Sequence, residues 1–263
     1  MIHNLIHSVF MLCLVACAAT SCDPHSTNHG YDVYLLIGQS NMAGRGTMLE
    51  SDTVEAIPGV YLLNGEDKPT PAHNPLNQYS SIRKDIKMQQ ICPGTSFSQT
   101  LAQHTNRNIL LVVNAKGGTA LSEWMPGTKF FNEAVRRGKE AMKFGTLKGI
   151  LWHQGCADSS PEKTATYLER LSIMVDSLRT NLGVTDEVPF IAGELAHWRR
   201  SSATFNDTIH HIDRYIPGSH WVSAEGCTWL KDSIDPHFSR EGQLLLGRRY
   251  AEKLLASPPS GGD

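Results

Sequence analysis

Five short apolar runs punctuate the chain: DVYLLIG at 32–38, NILLVVNA at 108–115, KGILWHQ at 148–154, VPFIAGE at 188–194 and HWVSA at 220–224. They are mostly continuous rather than alternating, the pattern of strands buried on both faces of a parallel sheet. Between them apolar positions recur at helical spacing, first at Phe131, Ala134, Val135, Gly138, Ala141 and Met142, then at Leu168, Leu171, Val175, Leu178 and Leu182. Both stretches fit the face of an amphipathic helix. Ser159-Ser160-Pro161-Glu162 reads as a capping box that starts the second of them. Leu244, Gly247, Arg248, Ala251, Leu254 and Leu255 mark a last helix, with Ser239 as its N-cap. Strand alternating with helix predicts an α/β fold built on a five-stranded parallel sheet. Residues 45–94 break the rhythm, being Pro-rich and without periodicity, and read as a folded loop over the active face.

Composition narrows the class. A chain of 263 residues with 40% hydrophobic and 19% charged residues supports one large domain with a buried core. The 24 Lys and Arg against 26 Asp and Glu leave no basic excess, so nucleic acid is not an expected partner. From Val9 to Ala19 every residue is apolar. That run is too short to span a bilayer, which takes about 20 helical residues, but it suits the core of a signal peptide. The preceding MIHNLIHS departs from the usual signal by having no Lys or Arg. Leu14-Val15-Ala16-Cys17 has the form of a lipoprotein cleavage site, which makes Cys17 the candidate for lipidation and Cys22 the second choice. The expected organisation is a signal peptide over 1–22, a polar leader over 23–30, one domain over 31–256 and a frayed tail over 257–263. The expected location is extracytoplasmic, in the periplasm or at the cell surface, with the membrane reached only through a lipid anchor. Cys92, Cys156 and Cys227 remain, an odd number that cannot all pair within the chain.

In an open parallel sheet, chemistry gathers beyond the carboxyl ends of the strands. The first run leads into GQSNMAGRG, which places Ser40 in a tight strand-to-helix turn where a hydroxyl is exposed and backbone N–H groups can face an oxyanion. A phosphate loop is the rival reading, but the Gly-x4-Gly-Lys-Ser/Thr spacing is not met. The second run ends at Gly117 and Gly118, where backbone can approach a ligand, and the third brings the Gln154 amide to the same rim. A hydroxyl, a glycine N–H and an amide N–H together suit acyl transfer. The base and its orienting acid are sought in DSIDPHFSREG. Pro236 biases Asp235 to extended geometry, in which side chains i and i+2 share a face, so Asp235 can reach Nδ1 of His237 while Nε2 turns to a serine. Asp232 competes as the acid, and a simple helix-initiating turn is the plain alternative. The 12 His include no HExxH, and the adjacent His210 and His211 diverge on a helix, so no metal is expected.

Taken in order, GQSNMAGRG, AKGGTALSEW, LWHQG and DPHFSREGQLLLGRRYA resemble the SGNH-hydrolase superfamily, in particular its sialate O-acetylesterase-like and carbohydrate esterase family 6 group, from about Tyr31 to Leu255. The resemblance implies a flavodoxin-like three-layer α/β/α sandwich. It also implies a serine esterase, free of metal and cofactor, that removes acetyl groups from carbohydrates such as xylan, sialic acid or another acetylated glycan. Position by position it makes Ser40 the nucleophile, His237 the base and Asp235 the acid, with an oxyanion hole from the Ser40 N–H, the Gly118 N–H and the Gln154 side chain. Two departures stand out. Cys156 occupies the position where the group usually has Glu, and Ile234 the position three before the His where its acid often stands, which keeps Asp232 and Asp158 in view beside Asp235. Trp124, His197 and Trp198 are candidates to stack on a sugar ring. An α/β-hydrolase is disfavoured because no Gly-x-Ser-x-Gly lies deep in the chain. The non-enzymatic rival is a carbohydrate-binding protein on a degenerate esterase fold.

Overall fold

The computed structural model describes residues 30–257. Among these residues seven strands form one sheet: β1 (Tyr31–Gly38), β2 (Val60–Leu63), β3 (Pro69–Pro71), β4 (Ile109–Ala115), β5 (Gly145–His153), β6 (Phe190–Gly193) and β7 (Ser219–Val222). Their spatial order is β3-β2-β4-β1-β5-β6-β7, parallel throughout except for the β2–β3 pair. The five apolar runs correspond to β1, β4, β5, β6 and β7. The expected count of five is corrected to seven, because residues 45–94 contribute two strands of their own. Neither carries a strong signal: β2 is four residues long, and β3 is the tripeptide Pro69-Thr70-Pro71. Proline suits an edge strand, where no ladder partner is needed on the outer side, and β3 lies at the edge.

Among the described residues eight α-helices accompany the sheet: α1 (Ser40–Ala43), α2 (Ser51–Val54), α3 (Gly94–His104), α4 (Lys129–Met142), α5 (Pro161–Thr164), α6 (Tyr167–Leu182), α7 (Ala203–Ile209) and α8 (Arg240–Ala256). Alternate residues of β1 enter different cores. Val33, Leu35 and Ile37 pack with Phe131 and Ala134 of α4 and Leu171 and Leu178 of α6. Tyr34 and Leu36 pack with Phe97 and Leu101 of α3 and Leu246 and Tyr250 of α8. Burial on both faces explains why the strands read as unbroken apolar runs. Where α3 meets α8 the helices nearly touch, since a Cβ at Gly247 would stand 2.1 Å from the Pro93 carbonyl.

The Ser159–Glu162 capping box is also corrected. Ser160 precedes the short α5, with Pro161 in its first turn and no side-chain cap, while Ser159 Oγ donates to the Cys156 carbonyl. The long α6 begins afresh at Tyr167. Ser239 does cap α8, its Oγ accepting from Gly242 N at 3.1 Å.

The 45–94 segment is folded and tied down. Arg240, in the first turn of α8, donates to both oxygens of Asp52. Asn77 bonds both the N–H and the carbonyl of Ala115 at the end of β4. Cys92, Cys156 and Cys227 are free thiols. The signal segment, Cys17, Cys22 and the leader and tail beyond Gly30 and Ser257 lie outside the described residues.

Candidate active site

The site is assembled where β1 and β5 end side by side. Gly38 closes β1 with φ near +135°, and a Cβ there would stand 2.3 Å from the His153 carbonyl, so only glycine lets the two strand ends meet. The chain turns at Gln39, whose N–H donates to that carbonyl at 2.8 Å, and Ser40 opens α1. Ser40 Oγ lies 2.9 Å from His237 Nε2. On the far side of the ring, His237 Nδ1 is 2.6 Å from Asp235 Oδ1. The same oxygen accepts the His237 backbone N–H at 3.0 Å, so Asp235 holds both the ring and the chain of its neighbour.

The rival acids are engaged elsewhere. Asp232 Oδ1 accepts the backbone N–H groups of Ile234 and Asp235, shaping the turn before the histidine. Asp158 accepts from Leu121 N and Gln154 Nε2 at 2.8 and 2.7 Å, behind the strand ends. Cys156 borders the cleft, and burial pushes its thiol upward from the ordinary value. The His237 proton affinity is lowered. Burial is the main cause, Asp235 opposes it, and the positive charges of Arg45 and Lys231 add to it. The imidazole therefore stands ready in its neutral, proton-accepting form.

The histidine loop is pinned by groups that sequence reasoning missed. Asn41, next to the serine and fully buried, donates Nδ2–H to the Pro236 carbonyl at 3.1 Å and accepts Phe238 N–H at 3.2 Å. It thus holds the peptide units on both sides of His237, and Gln243 of α8 steadies it with a 3.0 Å bond to Oδ1. The only sequence signal for this was its place beside Ser40.

The cleft, about 310 Å³, is lined by Gln39, Ser40, Arg45, Lys84, Met88, Gly117, Gly118, Cys156, Ala157, Pro236 and His237. Ser40 and Gly118 face it as expected. Gln154 does not. Its side chain is 1% exposed, its Nε2 donates to Thr119 O at 3.0 Å and to Asp158 Oδ2, and its Oε1 accepts from Tyr167 Oη at 2.7 Å. An amide with both hydrogens committed has no donor left for an oxyanion.

The three stacking candidates are corrected as well, for none of them lines the cleft. Trp124 is 1% exposed, bonded through Nε1 to Thr119 Oγ1 and packed edge-on against Trp152. His197 bonds Glu194. Trp198 donates Nε1–H to the Asp235 carbonyl at 2.8 Å and packs on Phe238, so it supports the histidine loop from behind. Arg45 and Lys84, which do line the cleft, were not singled out in the sequence. Among the described residues no group of three or more His, Cys, Asp or Glu side chains is arranged to hold a metal ion.

Comparison with known proteins places the chain among carbohydrate esterases. The family described as carbohydrate esterase, sialic acid-specific acetylesterase, matches residues 30–256. A probable carbohydrate esterase of Arabidopsis thaliana is 27% identical over 248 residues, which is 86% of this chain and 90% of the relative. Among solved structures, an Arabidopsis thaliana protein superposes with a TM-score of 0.77 at 24% identity, covering 86% of this chain and 98% of its own. NanS follows at 0.68 and 16%, covering 86% and 97%. A carbohydrate acetylesterase from Xanthomonas citri gives 0.60 and 16%, covering 84% of this chain and 55% of that one. These structural likenesses show a shared fold.

Proposed function

The chain belongs to the carbohydrate esterase family of sialic acid-specific acetylesterases, and from that premise we propose that it removes O-acetyl groups from carbohydrates through an acyl-enzyme on Ser40. The observation that carries this reading is the continuous line from Asp235 through His237 to Ser40, with spacings of 2.6 and 2.9 Å, opening into a cleft.

The chemistry follows from the geometry. His237 Nε2 takes the Ser40 proton as Oγ attacks the acetyl carbonyl, and Asp235 fixes the tautomer and stabilises the imidazolium that forms. Negative charge then develops on the carbonyl oxygen, where the Ser40 and Gly118 N–H groups act as donors. Collapse of the tetrahedral species expels the sugar oxygen, which takes the proton from His237. A water molecule, deprotonated by the same imidazole, attacks the acetyl-serine, and as acetate leaves the imidazolium returns the proton to Ser40 Oγ. Nothing in this sequence calls for a cofactor.

The substrate is an acetylated glycan, with xylan and sialic acid both open as the carrier. Measuring acetate released from a panel of acetylated glycans tests the reading: release by the wild type and none by Ser40→Ala is expected, and equal release by both rejects it. The apolar run at 9–19 supports an extracytoplasmic location with Cys17 as a lipid anchor. Fatty-acid label that is incorporated in the wild type and lost in Cys17→Ser is the expected result, and label that persists in that variant contradicts it.

A further inference from the structure

We propose that Arg45 is a further catalytic residue, its guanidinium giving a charged N–H donor to the oxyanion that forms when Ser40 attacks an ester. The inference rests on the acyl-transfer reading above. Gly44, at φ near +96°, turns the chain back at the end of α1, and a Cβ there would stand 2.1 Å from the Gln90 carbonyl. Arg45 Nη1 then donates to the Gly44 carbonyl at 2.6 Å and to the Met88 carbonyl at 2.9 Å. Two backbone carbonyls thus orient the fork, and among the described residues no carboxylate pairs with it. A half-buried guanidinium without a counter-ion keeps its charge available to a transient anion.

The Nη2 edge is turned to the reacting centre. A Cβ built on Gly117 would stand 2.6 Å from Arg45 Nη2 and 3.3 Å from Ser40 Cβ, so the guanidinium tip and the nucleophile flank one face of this glycine. The absent side chain is what lets them approach, which gives the first glycine of the Gly117-Gly118 pair a chemical purpose. The cleft lining holds no carboxylate that would neutralise the charge. The need for a donor is also visible, because the Gln154 amide, expected to serve the oxyanion, is committed to Thr119 and Asp158. The Arg45 charge is felt at the base too. It acts with Lys231 and against Asp235 on His237, beneath the larger effect of burial.

Steady-state kinetics on a neutral ester, 4-nitrophenyl acetate, test the proposal with Arg45→Gln, Gly117→Ala and the double variant. Arg45→Gln is expected to lower kcat by roughly 10- to 100-fold, short of the full cost of losing a buried oxyanion donor, with KM changed little. Its acid limb of kcat/KM should move to higher pH, since one of the charges that holds the imidazole proton affinity down is gone. Gly117→Ala sets a methyl group against Nη2 and pushes the guanidinium away from the face it shares with Ser40. It should lower kcat to a similar degree, and the double variant should be little worse than either single one. Gly117→Ala with Arg45→Lys carries the test if Arg45→Gln does not fold.

A folded Arg45→Gln enzyme within twofold of wild-type kcat overturns the proposal, as does full additivity with Gly117→Ala. A loss confined to acetyl esters of acidic sugars overturns it as well, by making Arg45 a reader of substrate charge. Stoichiometric labelling by a fluorophosphonate separates the two levels. A wild-type enzyme that does not label at Ser40 removes the acyl-transfer reading itself, whereas labelling in wild type and variant with unchanged kcat removes only the role of Arg45.

Discussion

Two carboxylates near the carboxyl ends of the strands hold histidines at the same distance and to different ends. Glu194, just past β6, lies 2.6 Å from His197 Nε2, as Asp235 lies 2.6 Å from His237 Nδ1. Glu194 also accepts His210 Nε2 at 2.5 Å, Ser223 Oγ at 2.9 Å and Ala224 N at 2.8 Å, and it is 2% exposed. Its histidines point inward to the carboxylate, and His210 stacks on Trp221 with ring centroids 3.9 Å apart. Asp235 holds its histidine by one nitrogen and leaves the other on Ser40, in a cleft. A carboxylate–histidine pair is therefore a fastening in the first case and, in the proposed function, a base in the second. What separates them is that Nε2 of His237 meets the Ser40 hydroxyl at the cleft, whereas neither His197 nor His210 lines it.

The largest expected break in this comparison is Asp235→Asn. The amide imposes the wrong imidazole tautomer, and turnover should fall by about four orders of magnitude with little change in the thermal midpoint. Asp232→Asn, whose oxygen only shapes the preceding turn, should stay within tenfold on the same assay.

Glu194→Gln should do the reverse, with turnover retained and stability lowered by about 2 kcal/mol, the scale of hydrogen bonds to a buried charged group. Burial alone would raise the proton affinity of Glu194, but the bonds from His210, Ala224, His197 and Ser223 bring it below the ordinary carboxylate value. The folded state then binds the proton more weakly than the unfolded one. Its contribution is complete above the ordinary carboxylate pKa and is lost as pH falls towards the lowered value. Thermal midpoints from pH 7 to pH 3 should accordingly fall less steeply in Glu194→Gln than in the wild type.

A smaller effect is expected at Gln154. Gln154→Met breaks bonds to Thr119, Asp158 and Tyr167, so it should cost stability while lowering kcat less than tenfold. A true oxyanion donor would cost roughly 10²- to 10³-fold. Smallest is the pH effect on the intact enzyme. With the His237 proton affinity lowered, the acid limb of kcat/KM should have its midpoint below the ordinary histidine value, and a midpoint above it would contradict the burial argument.

Much of this was legible in the chain. The apolar runs located the strands because both faces of the sheet are covered, and the 3.6-residue spacing located α4 and α6 because each buries one stripe. The Asp235-Pro236-His237 tripeptide announced its geometry, since proline restricts the residue before it and extended backbone puts i and i+2 on one side. Local signals failed where the deciding contact comes from elsewhere. The Ser-Pro-Glu sequence starts a helix, but α5 stops after one turn and α6 begins separately at Tyr167. Gln154 stands at the right strand end, yet Tyr167 and Asp158 turn its amide away from the cleft. Trp124 and Trp198 are aromatic near strand ends, and both are consumed by packing and by bonds to Thr119 and Asp235. Asn41 and Arg45 carried no signal of their own because their partners, at 236–243 and at 88 and 117, are distant in sequence.

Reacting the wild type and Asp235→Asn with a fluorophosphonate and mapping the adduct by peptide mass spectrometry tests whether Asp235 acts through His237 on Ser40. One adduct per chain is expected, on Ser40, formed far more slowly in Asp235→Asn. An adduct on another residue, or equal rates in the two proteins, would contradict that role.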